Sequence, residues 1–137
     1  MSATRIEPIG PERLVAIDGE VPPGALAGLA ALRLGPREHL VLDAEASALP
    51  PLGGALAIDV GDAHEGWALS GPGAARLLAK ACMLDLALVR PGEATRTAMA
   101  GIPAILRRVA PEAWELRVDR SYAAWLEAWL RSLGGGD

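Results

Sequence analysis

Cysteine is almost absent from this chain of 137 residues, which contains Cys82 alone. A single thiol excludes an intramolecular disulfide and is typical of a reducing compartment. Lysine is equally rare, because all but one of the thirteen basic residues are arginine. The formal net charge is -4, so the chain lacks the basic excess that a phosphate-binding surface requires. Nucleic acid is therefore not an expected partner.

Long hydrophobic runs are also missing from the sequence. Glycine, proline or a charged residue interrupts each apolar run well before the about 18 residues that a membrane-spanning helix needs. The first twenty residues carry several charges and lack the apolar core of a signal peptide. We therefore expect a cytoplasmic protein that has no membrane partner.

Apolar residues make up 51% of the chain and charged residues 22%, which is the balance of a globular protein. The length suits a single domain with one core, and the sequence contains no repeat and no long linker. We predict one domain over residues 1–137. Within it, residues 1–12 form a loose lead and residues 134–137 a flexible tail.

Alternating apolar patterns bounded by glycine and proline predict most of the structure as strands. A hairpin is predicted around Gly35 and Pro36, and three late strands joined by short connections predict an antiparallel meander. Residues 43–48 are predicted to form one helical turn that Asp43 caps. The predicted strands cover residues 13–17, 29–34, 39–42, 55–60, 66–69, 95–100, 102–109 and 113–118.

Two amphipathic helices complete the prediction. The first has about three turns, begins after a Ser70 cap and has Leu77 and Leu78 on its apolar face. The second follows a Ser121 cap, carries an apolar stripe from Tyr122 to Leu133 and ends at a glycine. The stripe either covers the meander or, in part, docks a partner. The fold class is α+β, an antiparallel or mixed sheet with the two main helices on one face.

The sequence contains no strong candidate for a catalytic site. The turn from Ser70 to Gly73 lacks the third glycine of a dinucleotide fingerprint, since Arg76 occupies that position. The possible metal ligands His39, His64 and Cys82 lie about twenty residues apart, without close ligand pairs. We therefore predict no catalytic, cofactor-binding or metal-binding residues, and no cofactor in this chain.

Two further clusters have alternative interpretations. Asp59, Asp62, His64 and Glu65 form an acidic group that either performs acid–base chemistry or simply holds turns, and the second interpretation is favoured. Arginines near the end of the meander either block edge-strand pairing or contact a partner. The candidate partner-contact residues are Arg107, Arg108 and Trp114.

Three segments carry a resemblance to a known family. They are the segment at residues 34–42, LGPREHLVL, the strand, turn and helix at residues 58–86, IDVGDAHEGWALSGPGAARLLAKACMLDL, and the segment at residues 119–130, DRSYAAWLEAWL. In this order they resemble the gamma subunit of heterotetrameric sarcosine oxidase. The chain departs from that family at Met83, where proline is usual, and at Tyr122, where phenylalanine is more usual.

The resemblance implies a non-catalytic subunit whose fold is similar to the folate-binding domain of the glycine-cleavage T-protein. In such an oxidase, larger flavoprotein subunits demethylate sarcosine and pass the one-carbon unit to folate. Two alternatives stay open: a stand-alone folate-type binding or one-carbon-transfer domain, and an orphan homodimer.

Overall fold

The structure, a computed structural model, describes residues 4–133. These residues fold as two compact units. The four-stranded unit comprises Pro11–Ala63, and the five-stranded unit comprises the described residues before and after that segment. The predicted single domain over 1–137 stays a prediction, and the predicted tail at 134–137 lies outside the described residues.

The strands pair antiparallel throughout both sheets, and two α-helices accompany them. The predicted α+β class is therefore confirmed, and the antiparallel alternative holds rather than the mixed one. The elements in chain order are β1 Arg5–Ile9, β2 Leu14–Asp18, β3 Ala31–Gly35, β4 Glu38–Leu42, β5 Leu56–Asp59, β6 His64–Ser70, α1 Ala74–Ala81, β7 Ala94–Met99, β8 Ile102–Ala110, β9 Ala113–Asp119 and α2 Ala123–Ser132.

The five-stranded sheet has the strand order β1-β6-β9-β8-β7, and its last three strands are the predicted meander. The predicted loose lead at residues 1–12 is wrong for β1, which pairs along its whole length with β6. The sequence pattern did not predict this strand, because Pro8 suggests a break. An edge strand tolerates it, since the amide that proline lacks need not join the ladder.

Both helices pack on one face of the five-stranded sheet, as predicted. Side chains alternate along a strand, so Trp114, Leu116 and Val118 of β9 all point to that face. The helices contribute buried leucines to the same core. Its buried residues are Ile6, Trp67, Leu69, Ala74, Leu77, Leu78, Cys82, Leu86, Val89, Met99, Ile102, Ala104, Leu106, Trp114, Leu116, Val118, Ala123, Leu126 and Leu130.

Neither helix begins as the sequence predicts. Ser70 remains in β6, where it pairs with strands on both sides. The capping position of α1 is Gly73, so no side chain caps the helix. The helix is consequently about two turns long instead of three. Ser121 also does not cap α2; its amide and its hydroxyl donate to Asp119 Oδ1 at 2.9 and 2.7 Å. Both bonds lower the pKa of Asp119, and the bond from the hydroxyl has the larger effect.

The four-stranded sheet has the order β3-β4-β2-β5, and the predicted hairpin around Gly35 and Pro36 joins β3 to β4. Its core is small. Val15, Ile17, Val41 and Leu52 are buried together, and mainly alanines pack around them. The helical turn predicted at residues 43–48 is a short 3-10 turn, Ala46–Ala48, after Glu45; Asp43 has a positive φ and does not cap it.

Candidate functional site

Two of the predicted partner-contact residues, Trp114 and Arg108, pack in or over the core of the five-stranded unit. Trp114 is only 1% exposed and lies in the core. The Arg108 guanidinium carbon lies 4.9 Å from the centre of the Trp114 ring, and Arg108 donates to the carbonyl oxygens of Val89 at 3.0 Å and Pro111 at 2.8 Å. Arg108 therefore holds connecting loops over the tryptophan, and Trp114 cannot reach a partner directly.

Arg107 points to the opposite face of the sheet from Arg108, because neighbouring strand residues alternate. Its Nη1 donates to Glu115 Oε1 at 3.1 Å, and Arg117 Nη1 donates to the same oxygen at 3.0 Å. Arg107, Arg108 and Trp114 thus do not form one continuous surface. A partner contact at these residues stays a prediction, and only the two arginines retain any exposure.

The acidic group is divided among separate structural roles. Asp59 Oδ1 accepts the Ala46 amide at 2.8 Å, and Glu65 pairs with Arg120 at 3.5 Å. Asp62 lies in a 3-10 turn, Gly61–Ala63. The Asp59 bond fits the interpretation that this group holds turns, whereas Glu65 forms an exposed ion pair.

An open depression of about 260 Å³ lies in the four-stranded unit, lined in part by Asp59 and Asp62. Its one basic side chain, Arg13, is bound to Asp43 Oδ1 at 2.6 Å and to Glu45 at 3.5 Å. The hydrogen bond to Asp43 raises the pKa of Arg13. The Arg13 guanidinium is thus already paired with carboxylates of the protein itself.

The histidines and the cysteine do not converge. His39 lines an open depression of about 540 Å³ with Glu20 and Arg33, and burial, with the charge of Arg33, lowers its pKa. Cys82 is buried, and its sulfur lies 3.3 Å from both Thr97 Oγ1 and the Leu84 amide. Within residues 4–133, no three His, Cys, Asp or Glu side chains are placed to hold a metal ion.

The exposed aromatic side chains of the described chain lie on α2 and at the residue that precedes it. Trp125 is 55% exposed and Tyr122 is 44% exposed. The Trp125 ring stacks on Trp129, with centroids 6.4 Å apart and an interplanar angle of 14°. The predicted stripe therefore divides: Leu126 and Leu130 cover the sheet, whereas Trp125 faces outward. A helical projection indicates this division, since Trp125 lies 100° from Leu126 around the axis.

In the part of the chain that the structure describes, neither helix has the length and apolar character needed to cross a bilayer.

Comparisons with known proteins identify the fold. No protein-family model and no curated protein matches the sequence. The structure is similar to a chain of the heterotetrameric sarcosine oxidase from Corynebacterium sp. U-96 in complex with pyrrole 2-carboxylate. The TM-score is 0.81 at 21% sequence identity, over 95% of this chain and 83% of that chain.

The glycine cleavage system aminomethyltransferase T from Bartonella henselae is also similar, with a TM-score of 0.67 at 14% identity. The match covers 94% of this chain but 45% of that one, so this chain spans less than half of the T-protein's length. Identities this low show the fold alone. The fold is thus that of a sarcosine oxidase chain and of part of a T-protein, as the sequence predicts.

Proposed function

We propose that this chain is a non-catalytic, gamma-like subunit of a sarcosine oxidase-type complex. One observation carries the proposal: the fold matches a chain of the oxidase heterotetramer over 95% of this chain and 83% of that one. The matched chain is only slightly longer than this one, which suits a small subunit. The three resembling sequence segments support the same role independently of the fold.

The roles of the polar residues support a subunit without chemistry of its own. Active sites need a nucleophile, a base or charge-stabilising donors that converge on one place. Here Asp59 holds a turn, Glu115 holds two arginines, and Arg108 holds loops over Trp114. In the proposed complex, larger flavoprotein subunits bind the flavin, oxidise sarcosine and pass the one-carbon unit to folate, while this chain carries no cofactor.

The likeness to the T-protein favours a second candidate, a stand-alone folate-type binding domain. Titration of the purified chain with tetrahydrofolate distinguishes the two. The subunit proposal expects no heat of binding from the isolated chain, whereas the alternative expects stoichiometric binding.

The proposal is tested by deleting the gene in its native host and measuring sarcosine-dependent oxygen consumption in extracts. We expect a large loss of activity or of oxidase yield, restored by expression of the wild-type chain. Affinity purification of the tagged chain should retain flavin-containing subunits, while the chain alone is colourless and inactive. Full oxidase activity without the chain would refute the subunit role.

A further inference from the structure

The two charged side chains of α2 are directed toward the sheet. Glu127 Oε2 accepts from Trp67 Nε1 at 3.2 Å, and Arg131 Nη2 donates to the Ile6 carbonyl oxygen at 3.5 Å. A surface helix ordinarily turns its charges away from the core. Apart from Arg131 on one flank, the exposed positions of α2 are therefore uncharged: Ala124, Trp125, Ala128 and Ser132.

The stacked tryptophans occupy the flank of α2 opposite to Glu127 and Arg131. Glu127 and Arg131 contact the strands β6 and β1, so the tryptophan flank faces the strands β8 and β7. The helix α1 ends beside the turn between those strands, where the Ala100 amide donates to the Ala81 carbonyl oxygen at 2.7 Å. Stacking on Trp129 holds the exposed Trp125 ring in one orientation. A side chain ordered before binding loses less conformational entropy in a complex, and tryptophan is frequent among the residues that dominate interface energies.

The exposed charges on the two helices are basic. On α1 the charged residues are Arg76 and Lys80, both exposed, and on α2 the exposed charge is Arg131. The one acidic residue on either helix, Glu127, is half-buried against Trp67. The exposed helical charges are thus all positive, although the chain as a whole carries a net charge of -4.

From these observations we infer that the outer surface of α1 and α2 is a docking surface. Its occupant is a larger subunit that presents an apolar patch with an acidic rim. The inference rests on the proposed function, and it assigns to that function the surface by which the chain joins the complex.

A second copy of this chain fits the surface poorly. Two copies facing each other would oppose Arg76, Lys80 and Arg131 with the same positive charges, which disfavours association.

The test is Trp125→Ala in the full chain, co-expressed with the flavoprotein subunits of its native complex. We expect the variant to bind those subunits at least about tenfold more weakly, as truncation of a central interface tryptophan does. The melting temperature of the free chain should fall by no more than about 6 °C, because only an exposed aromatic contact is lost. Leu56→Ala is the matched control, since Leu56 is 57% exposed but lies in the four-stranded unit, and it should leave binding unchanged.

Replacing both α1 cations, Arg76→Glu with Lys80→Glu, should also slow association and reduce its dependence on salt concentration. Undiminished binding of Trp125→Ala, beside a wild-type chain that does bind, would reject this surface and leave the proposed function intact. A wild-type chain that retains no flavoprotein subunit would reject both. A wild-type dimer that Trp125→Ala dissociates would identify a second copy as the occupant and overturn the inference.

Discussion

The two units of this protein reach stability with different kinds of residues. All four tryptophans and the one tyrosine lie in the five-stranded unit, and Trp67 and Trp114 fill its core. The four-stranded unit contains no aromatic residue; its buried hydrophobic residues are leucine, isoleucine and valine, and mainly alanines pack around the cluster that includes Val15 and Ile17. One unit is therefore built around aromatic side chains, whereas the other combines aliphatic side chains with a close fit of its backbone.

Two glycines show this close fit in the four-stranded unit. A Cβ added to Gly61 would clash with the Glu12 carbonyl oxygen, and one added to Gly19 would lie 3.0 Å from Ala55 Cα. Gly19 also has a φ of +123°, which L side chains rarely adopt. The comparison teaches that a unit without aromatic residues also relies on backbone contacts that larger residues would prevent.

The largest effect expected from this comparison is that of Trp114→Ala. Removing a fully buried indole leaves a cavity and should lower the free energy of unfolding by about 3–5 kcal/mol. Urea denaturation followed by tryptophan fluorescence measures it, because the remaining tryptophans all report on the five-stranded unit.

Trp125→Ala is the matched control, and it should cost about 1.5 kcal/mol or less, the value of an aromatic pair. If Trp114→Ala lowered the free energy of unfolding as little as Trp125→Ala does, the five-stranded unit would not depend on its buried aromatics. The contrast between the units would then fail.

Gly61→Ala tests the backbone fit of the four-stranded unit. The added methyl group meets a main-chain oxygen that cannot rotate away, so we expect a loss of about 1–3 kcal/mol. Circular dichroism during urea denaturation is the measurement, since this unit has no aromatic fluorophore. Gly54→Ala, where nothing lies within 4 Å, should change stability by less than about 1 kcal/mol. If Gly61→Ala left the free energy of unfolding unchanged, the unit would tolerate a wider separation between residue 61 and the Glu12 carbonyl oxygen.

The smallest predicted effect is a pH dependence of the four-stranded unit. Burial, assisted by Arg33, lowers the pKa of His39 from its ordinary value near 6.5. The unfolded chain then binds more protons below about pH 6.5, so stability falls as the pH drops from there to the folded pKa. His39→Gln should flatten this slope between about pH 5 and 7, as read from melting temperatures. An unchanged slope in His39→Gln would contradict the prediction.

Local patterns in the sequence were sufficient where neighbouring residues decide the outcome. The meander, the hairpin at Gly35 and the apolar faces of both helices follow from periodicity and turn residues, and the structure contains them. The helix starts were wrong, because sheet pairing retains Ser70 and because Asp119 binds Ser121 in a 3-10 turn. Strand β1 was missed, since only its pairing with β6 makes Arg5–Ile9 a strand.

The sequence by itself determined the α+β class and the likeness to a sarcosine oxidase chain, because periodicity, turn chemistry and local motifs are properties of short segments. Only the tertiary structure decided which polar and aromatic side chains are exposed. It buried Trp114 beneath Arg108, although the sequence suggested a surface residue, and it turned Trp125 outward while directing Glu127 to Trp67. Exposure depends on residues distant in the chain, such as the 60 positions that separate Trp67 from Glu127, and no local pattern contains that information.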